Sequence, residues 1–123
     1  MTKTVLVVDD SSSLRALVKI ALTRAGYTVM EGSDGQEGLS QLDRGSKINL
    51  IISDVNMPNM DGITFVQRVK QHPKHKFIPV IMLTTEDEQA KMQQAKAAGA
   101  RAWLTKPFNP PELLDAVSKL ASA

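Results

Sequence analysis

The chain has 123 residues, enough to bury one core, and its 42% apolar fraction is that of a globular protein. A formal charge of +2 gives no electrostatic reason to expect a nucleic-acid or membrane partner. The absence of cysteine excludes a disulfide framework and a thiolate metal site, and no run approaches the ~18 apolar residues of a membrane span. These features suit a cytoplasmic protein, and a first strand starting near Thr4 leaves no room for a signal peptide.

Thr4 to Val8 (Thr-Val-Leu-Val-Val) reads as a buried strand of a parallel sheet, ended by Asp9-Asp10. Ser11, Ser12 and Ser13 offer N-caps for a helix whose Leu14, Leu17, Val18, Ala21, Leu22 and Ala25 recur along one face. Gly26 stands where a left-handed C-terminal residue belongs. Tyr27 to Met30 is a short second strand. Ser33-Asp34-Gly35 opens a second helix carrying Leu39 and Leu42, weakened by Gly35 and Gly38 and followed by Gly45. Ile48 to Ile52 is the third strand, and Ser53-Asp54 follow it directly. Asn56, Pro58, Asn59 and Gly62 compose a tight loop, within which Asp61 can cap a helix from about Ile63 to Gln71. His72-Pro73 breaks that helix, and Lys74 to Phe77 form a basic loop in which His72 and His75 are expected to be solvated. Pro79 to Leu83 is the fourth strand, ended by Thr84-Thr85. An Ala-rich helix follows from about Asp87 to Ala98, closed by Gly99. Ala100 to Leu104 is the fifth strand, with Thr105-Lys106-Pro107 after it. In Asn109-Pro-Pro-Glu112 an Asn cap, a first-turn Pro and a Glu three residues on start the last helix, whose stripe is Leu113, Leu114, Val117, Leu120 and Ala121.

Strand followed by helix, five times over, specifies an α/β fold: a five-stranded parallel sheet, doubly wound, with helices on both faces. No linker, low-complexity tract or internal repeat interrupts it, so residues 1–123 are expected to form a single domain. In such sheets, sites form beyond the carboxyl ends of the strands. Asp9 and Asp10, Asp54, Thr84 and Lys106 all stand at such ends. Singly, each has a plain reading: a turn, a helix cap or a loop residue, as Met57 and Met60 read as loop packing. Together they form a charged cluster. Converging carboxylates repel, and at least one has a raised pKa unless a hard cation such as Mg²⁺ relieves it. One carboxylate can then act as a nucleophile toward phosphorus, with the ammonium and the hydroxyl offsetting the phosphoryl charge.

Asp9-Asp10, Asp54 within Asp-Val-Asn-Met-Pro-Asn-Met-Asp-Gly, Thr84 and Lys106-Pro107 resemble the receiver domain of bacterial response regulators over the whole chain. The likeness is greatest to the stand-alone chemotaxis members. The resemblance implies a flavodoxin-like sheet of strand order 2-1-3-4-5. It implies that Asp54 accepts a phosphoryl group from the phosphohistidine of a sensor histidine kinase. Asp9, Asp10, Asp54 and the backbone carbonyl of Asn56 would bind Mg²⁺. Lys106 would contact the phosphoryl group across a cis bond to Pro107, and Thr84 would reorient toward it. Trp103 stands where the family has a switch aromatic, usually Tyr or Phe. Asn56 and Glu86 occupy positions that tune how long the phosphoryl group survives. The chain would be a phosphoacceptor that assists its own phosphorylation and autodephosphorylation rather than an enzyme in the ordinary sense.

The implied output is chemotaxis or motility control by a monomer binding a flagellar switch protein or another target, with a phosphatase as a further partner. A phosphorelay intermediate and a stand-alone receiver outside chemotaxis are the alternatives. Two unrelated functions fit less well. A flavodoxin-type electron carrier needs a phosphate cradle where this chain has Asp9-Asp10. A haloacid-dehalogenase-type hydrolase carries a second Asp where this chain has Asn56.

Overall fold

The computed structural model describes residues 3–45, 47–85 and 89–121. Its elements are β1 (Thr4–Val8), α1 (Ser12–Arg24), β2 (Thr28–Gly32), α2 (Gly35–Asp43), β3 (Leu50–Asp54), α3 (Gly62–Gln71), β4 (Val80–Thr84), α4 (Gln89–Ala98), β5 (Ala102–Thr105) and α5 (Pro110–Ala121). Every pairing is parallel and the order is β2-β1-β3-β4-β5, the flavodoxin-like arrangement. The chain passes from β1 outward to β2, then crosses to β3 on the other side of β1. β1 and β3 therefore flank the topological switch point. No helix among the described residues is long and apolar enough to cross a membrane.

The two-residue period of the strands divides the core. Val5 and Val7 of β1, Leu50 and Ile52 of β3, and Ile81 and Leu83 of β4 pack with Val18 and Leu22 of α1 and Leu113, Val117 and Ala121 of α5. Leu6, Val8, Ile51, Val80 and Met82 point the other way, onto Leu42 of α2, Phe65, Val66 and Val69 of α3, and Ala95 of α4. With both faces covered, the central strands read as unbroken apolar runs instead of alternating ones. Phe65 and Leu22 are wholly inaccessible, and each such burial stabilises the fold by ~1.5–3 kcal/mol.

Side chains close the helix starts as their sequence predicts. Ser11 accepts from the Leu14 N–H (3.2 Å), Asp34 from Glu37 (2.9 Å) and Asp61 from Thr64 (2.8 Å). Asn109 accepts from the Glu112 N–H at 2.9 Å while the Glu112 carboxylate accepts from the Asn109 N–H at 3.4 Å, a reciprocal box.

Several expectations shift. β3 covers Leu50–Asp54 rather than Ile48 to Ile52, so Asp54 is the last strand residue and not the first loop residue. The cause is the register with β4: Ile51 lies opposite Val80 and Asp54 opposite Leu83, which carries the ladder past the apolar run. β2 likewise extends to Gly32, opposite Val8. Of the α1 stripe, Val18 and Leu22 are buried, but Leu17 is 66% exposed and Ala25 is an exposed C-cap. His72 and His75 are only partly solvated. Both are half-buried, their rings stacked with centroids 4.2 Å apart. The expected helix start at Asp87, and Glu86, lie outside the described residues.

Candidate functional site

Asp9 directly follows β1, and its N–H donates to the Gly32 carbonyl (3.1 Å), prolonging the ladder to β2. Its carboxylate is buried. Oδ1 accepts the Ser11 N–H at 2.8 Å, whereas Oδ2 has no hydrogen bond among the described residues and lies 3.5 Å from the Lys106 Nζ. Asp10 is exposed. Asp54, 5% exposed, ends β3. Its Oδ1 accepts the Val55 N–H (2.9 Å) and lies 3.2 Å from the Lys106 Nζ. One carboxylate oxygen from each of Asp9, Asp10 and Asp54 falls within 4.8 Å of the others. The sheet thus brings together the three carboxylates and the ammonium singled out in the sequence.

The loop after Asp54 folds back tightly. The Gly62 N–H donates to the Val55 carbonyl at 2.7 Å, and a Cβ at Gly62 would fall 2.0 Å from the Asp54 carbonyl oxygen. No side chain fits there, so glycine sets the course of this loop. Asn59 takes a left-handed conformation (φ 67°) and donates from Nδ2 to Asp34 Oδ2 at 2.7 Å. Met57 and Met60 are partly buried against the core, the packing role their loop position suggested.

Lys106 follows β5, with its N–H donating to the Thr84 carbonyl (2.6 Å) and a cis peptide bond to Pro107. Thr84 ends β4. It is fully buried, and its Oγ1 has no hydrogen-bond partner among the described residues. Leaving a buried polar atom unpaired costs ~1–3 kcal/mol, so this hydroxyl and Asp9 Oδ2 are two unmet demands at one site. Trp103 lies opposite Met82 on β5 and is 37% exposed. Asn56 is exposed, and its Oδ1 accepts from the Lys91 Nζ of α4 at 2.7 Å.

Burial, and next the Asp9 charge, push the Asp54 carboxyl up to about 6, against the pull of Lys106 and the Val55 N–H. Burial also raises Asp9, opposed by the Ser11 N–H and Lys106. A pocket of hard oxygen donors with an under-paired, buried carboxylate oxygen is chemically suited to a hard divalent cation such as Mg²⁺.

Three contributors went unnoticed in the sequence. Arg15 of α1 donates from Nη1 to the Asp9 carbonyl (2.7 Å) and from Nε to Glu31 (3.3 Å), gripping the backbone beneath the carboxylates. Ser53 is buried and its Oγ donates to the Asp54 carbonyl at 3.0 Å. Lys91 reaches Asn56 from α4. Neither Arg15 nor Lys91 carries a local sequence signal that separates it from an ordinary helix-surface cation.

The response regulator receiver domain family matches residues 5–118. The chain is 42% identical over 106 residues to the chemotaxis protein CheY1 of Helicobacter pylori, covering 85% of this chain and 86% of that protein. It is 38% identical over 113 residues to the alkaline phosphatase synthesis transcriptional regulatory protein PhoP of Bacillus subtilis, covering 92% of this chain and 46% of that one. Among solved structures, the chemotaxis protein CheY4 of Vibrio cholerae superposes with a TM-score of 0.91 at 45% identity, over 98% of this chain and 99% of the other. With the β2-β1-β3-β4-β5 sheet holding its carboxylates and lysine at one edge, and the family match running from β1 into α5, this chain belongs to the response-regulator receiver domains of two-component signalling.

Proposed function

We propose that the chain accepts a phosphoryl group on Asp54 from a phosphohistidine of a sensor histidine kinase, with Mg²⁺ held by Asp9, Asp10, Asp54 and the Asn56 carbonyl. The observation that carries this reading is the pair of buried carboxylates of Asp9 and Asp54 bridged by the half-buried Lys106 ammonium at the mouth of the sheet, with Asp9 Oδ2 left short of hydrogen bonds. Bound Mg²⁺ would neutralise charge on the carboxylates and on the phosphoryl oxygens. Oδ1 of Asp54 is engaged by Val55 and Lys106, so we assign the attack to Oδ2. The Oδ2–P bond forms as the P–N bond breaks, and the departing imidazole nitrogen keeps the electron pair and takes up a proton. Lys106, already between Asp9 and Asp54, then pairs with a phosphoryl oxygen. The unpartnered Thr84 hydroxyl donates to another, which satisfies it and draws the end of β4 toward the site. Hydrolysis of the acyl phosphate returns the chain to its starting state. The output is a change in protein binding at the β5 face carrying Trp103. The likeness to chemotaxis proteins supports a flagellar switch or similar target.

Incubation with acetyl phosphate and Mg²⁺ tests the chemistry. The expected product is an alkali-labile acyl phosphate, lost without Mg²⁺ and lost in Asp54→Asn. Undiminished labelling of Asp54→Asn would move the acceptor elsewhere.

A further inference from the structure

We propose that Asp43, His72 and His75 form a second metal site, suited to a borderline divalent cation such as Zn²⁺, at the end of the sheet opposite Asp54. In a parallel α/β sheet the helices run back against the strands. The C-terminal ends of α2 and α3 therefore meet beside the starts of β3 and β4. Asp43 is the last residue of α2, His72 caps α3, and His75 lies in the turn that follows. One ligand atom from each of the three lies within 4.8 Å of the others. The imidazole rings stack at 4.2 Å with 27° between their planes, and the His75 Nε2 is 3.9 Å from Asp43 Oδ1; because imidazole binds a metal in its ring plane, the His72 ring must turn out of this stack for both lone pairs to meet one ion.

Zn²⁺ bonds of ~2.0–2.2 Å in tetrahedral geometry place ligand atoms roughly 3.4 Å apart. The His75–Asp43 pair must therefore close by roughly half an ångström. Asp43, whose side chain is 68% exposed, is free to turn inward while the His75 ring, 14% exposed, stays seated. Burial keeps His75 below its ordinary range, so its ring offers a lone pair rather than a positive charge. His72 Nδ1 accepts the Lys74 N–H at 3.1 Å, and ligation through either ring nitrogen surrenders that bond. The bond is exposed, so water replaces it at little cost.

All three residues border a cavity of about 700 Å³, which leaves room for a water as fourth ligand. Two imidazoles and a carboxylate favour Zn²⁺ over Mg²⁺, which prefers all-oxygen sites. Lys47, Lys74, Arg101 and Lys119 border the same cavity and oppose a cation. The affinity should accordingly fall well short of a closed structural zinc site. Bound metal would tie the end of α2 to the turn after α3, independently of chemistry at Asp54.

Calorimetric titration of the untagged full chain with Zn²⁺, in millimolar Mg²⁺ to occupy the acidic cluster, tests the site. The expected result is one equivalent bound, with Co²⁺ in its place giving the visible bands of tetrahedral coordination. His75→Ala and, separately, Asp43→Asn should weaken Zn²⁺ binding about tenfold or more, while Asp54→Asn leaves it unchanged. Asp43 is exposed, so its variant keeps the fold and reads ligation alone. Three results would each overturn the proposal: no saturable binding at about 100 µM Zn²⁺, equal affinity in wild type and both site variants, or loss of binding in Asp54→Asn.

Discussion

At the scale of single residues, Asp54 is a carboxylate placed where its own charge is unwelcome. Folding raises it from the ordinary 3.8 to about 6, by burial first and by Asp9 second. Between those two values the native state holds a proton that the unfolded chain has released. The associated stability is therefore fully present below the unfolded pKa and is lost as pH rises through the folded one. For Asp54 alone the metal-free protein should lose about 1 kcal/mol between pH ~5 and ~7. Asp9, raised in the same direction, steepens the trend. Urea melts of the metal-free chain at the two pH values should show the loss, and Asp54→Asn should flatten the slope. An unchanged slope in that variant would mean that other groups govern the dependence. Asp54 and Asp9 were legible as candidates because aspartates directly after apolar runs are easy to see. Arg15 was not, because nothing local tells a surface arginine from one that reaches a carbonyl beneath the site.

At the scale of elements, α2 shows how propensity and packing part company. Gly35 and Gly38 looked like weaknesses in a marginal helix. The structure uses Gly38 for contact: a Cβ there would lie 2.9 Å from the Phe65 ring and 3.0 Å from Val8 Cγ2. Gly38→Ala should gain ~1 kcal/mol of helix propensity. It should also lose ~1–3 kcal/mol to overpacking. The net effect expected is destabilisation, read as a lower urea midpoint; a higher one would mean that α2 can lift off β1 freely. β5 carries the other element-scale prediction. Trp103 is the only Trp, more than a third exposed, and a strand away from the buried Thr84 hydroxyl. If Thr84 turns toward a phosphoryl group, the packing beside β5 changes. Trp emission should then respond to beryllofluoride with Mg²⁺ in the wild type and not in Thr84→Ala. Identical spectra and acrylamide quenching in both states would make Trp103 a static packing residue.

At the scale of the whole molecule, the sheet forces carboxylates together that the unfolded chain keeps apart. Mg²⁺ binding to the native state alone should raise Tm. At about 100 times its Kd the gain is ~2.7 kcal/mol. Asp10→Ala, altering an exposed side chain, should reduce that rise without unfolding the protein. An equal rise in the variant would place the cation elsewhere. The order of strands and helices, the caps at Ser11, Asp34, Asp61 and Asn109, and the residues waiting at the strand ends were all determined by the sequence itself. Periodicity, capping and turn chemistry act between near neighbours, so they can be read from near neighbours. Only the tertiary structure decided that β3 runs on to Asp54, that Leu17 stays exposed, and that Thr84 Oγ1 and Asp9 Oδ2 lack hydrogen-bond partners among the described residues. It alone stacked the half-buried His72 and His75 rings on each other and beside Asp43. Those outcomes depend on strand register and on which helix lies over which strand. Both are settled by contacts between segments far apart in the chain, where no local pattern carries the information.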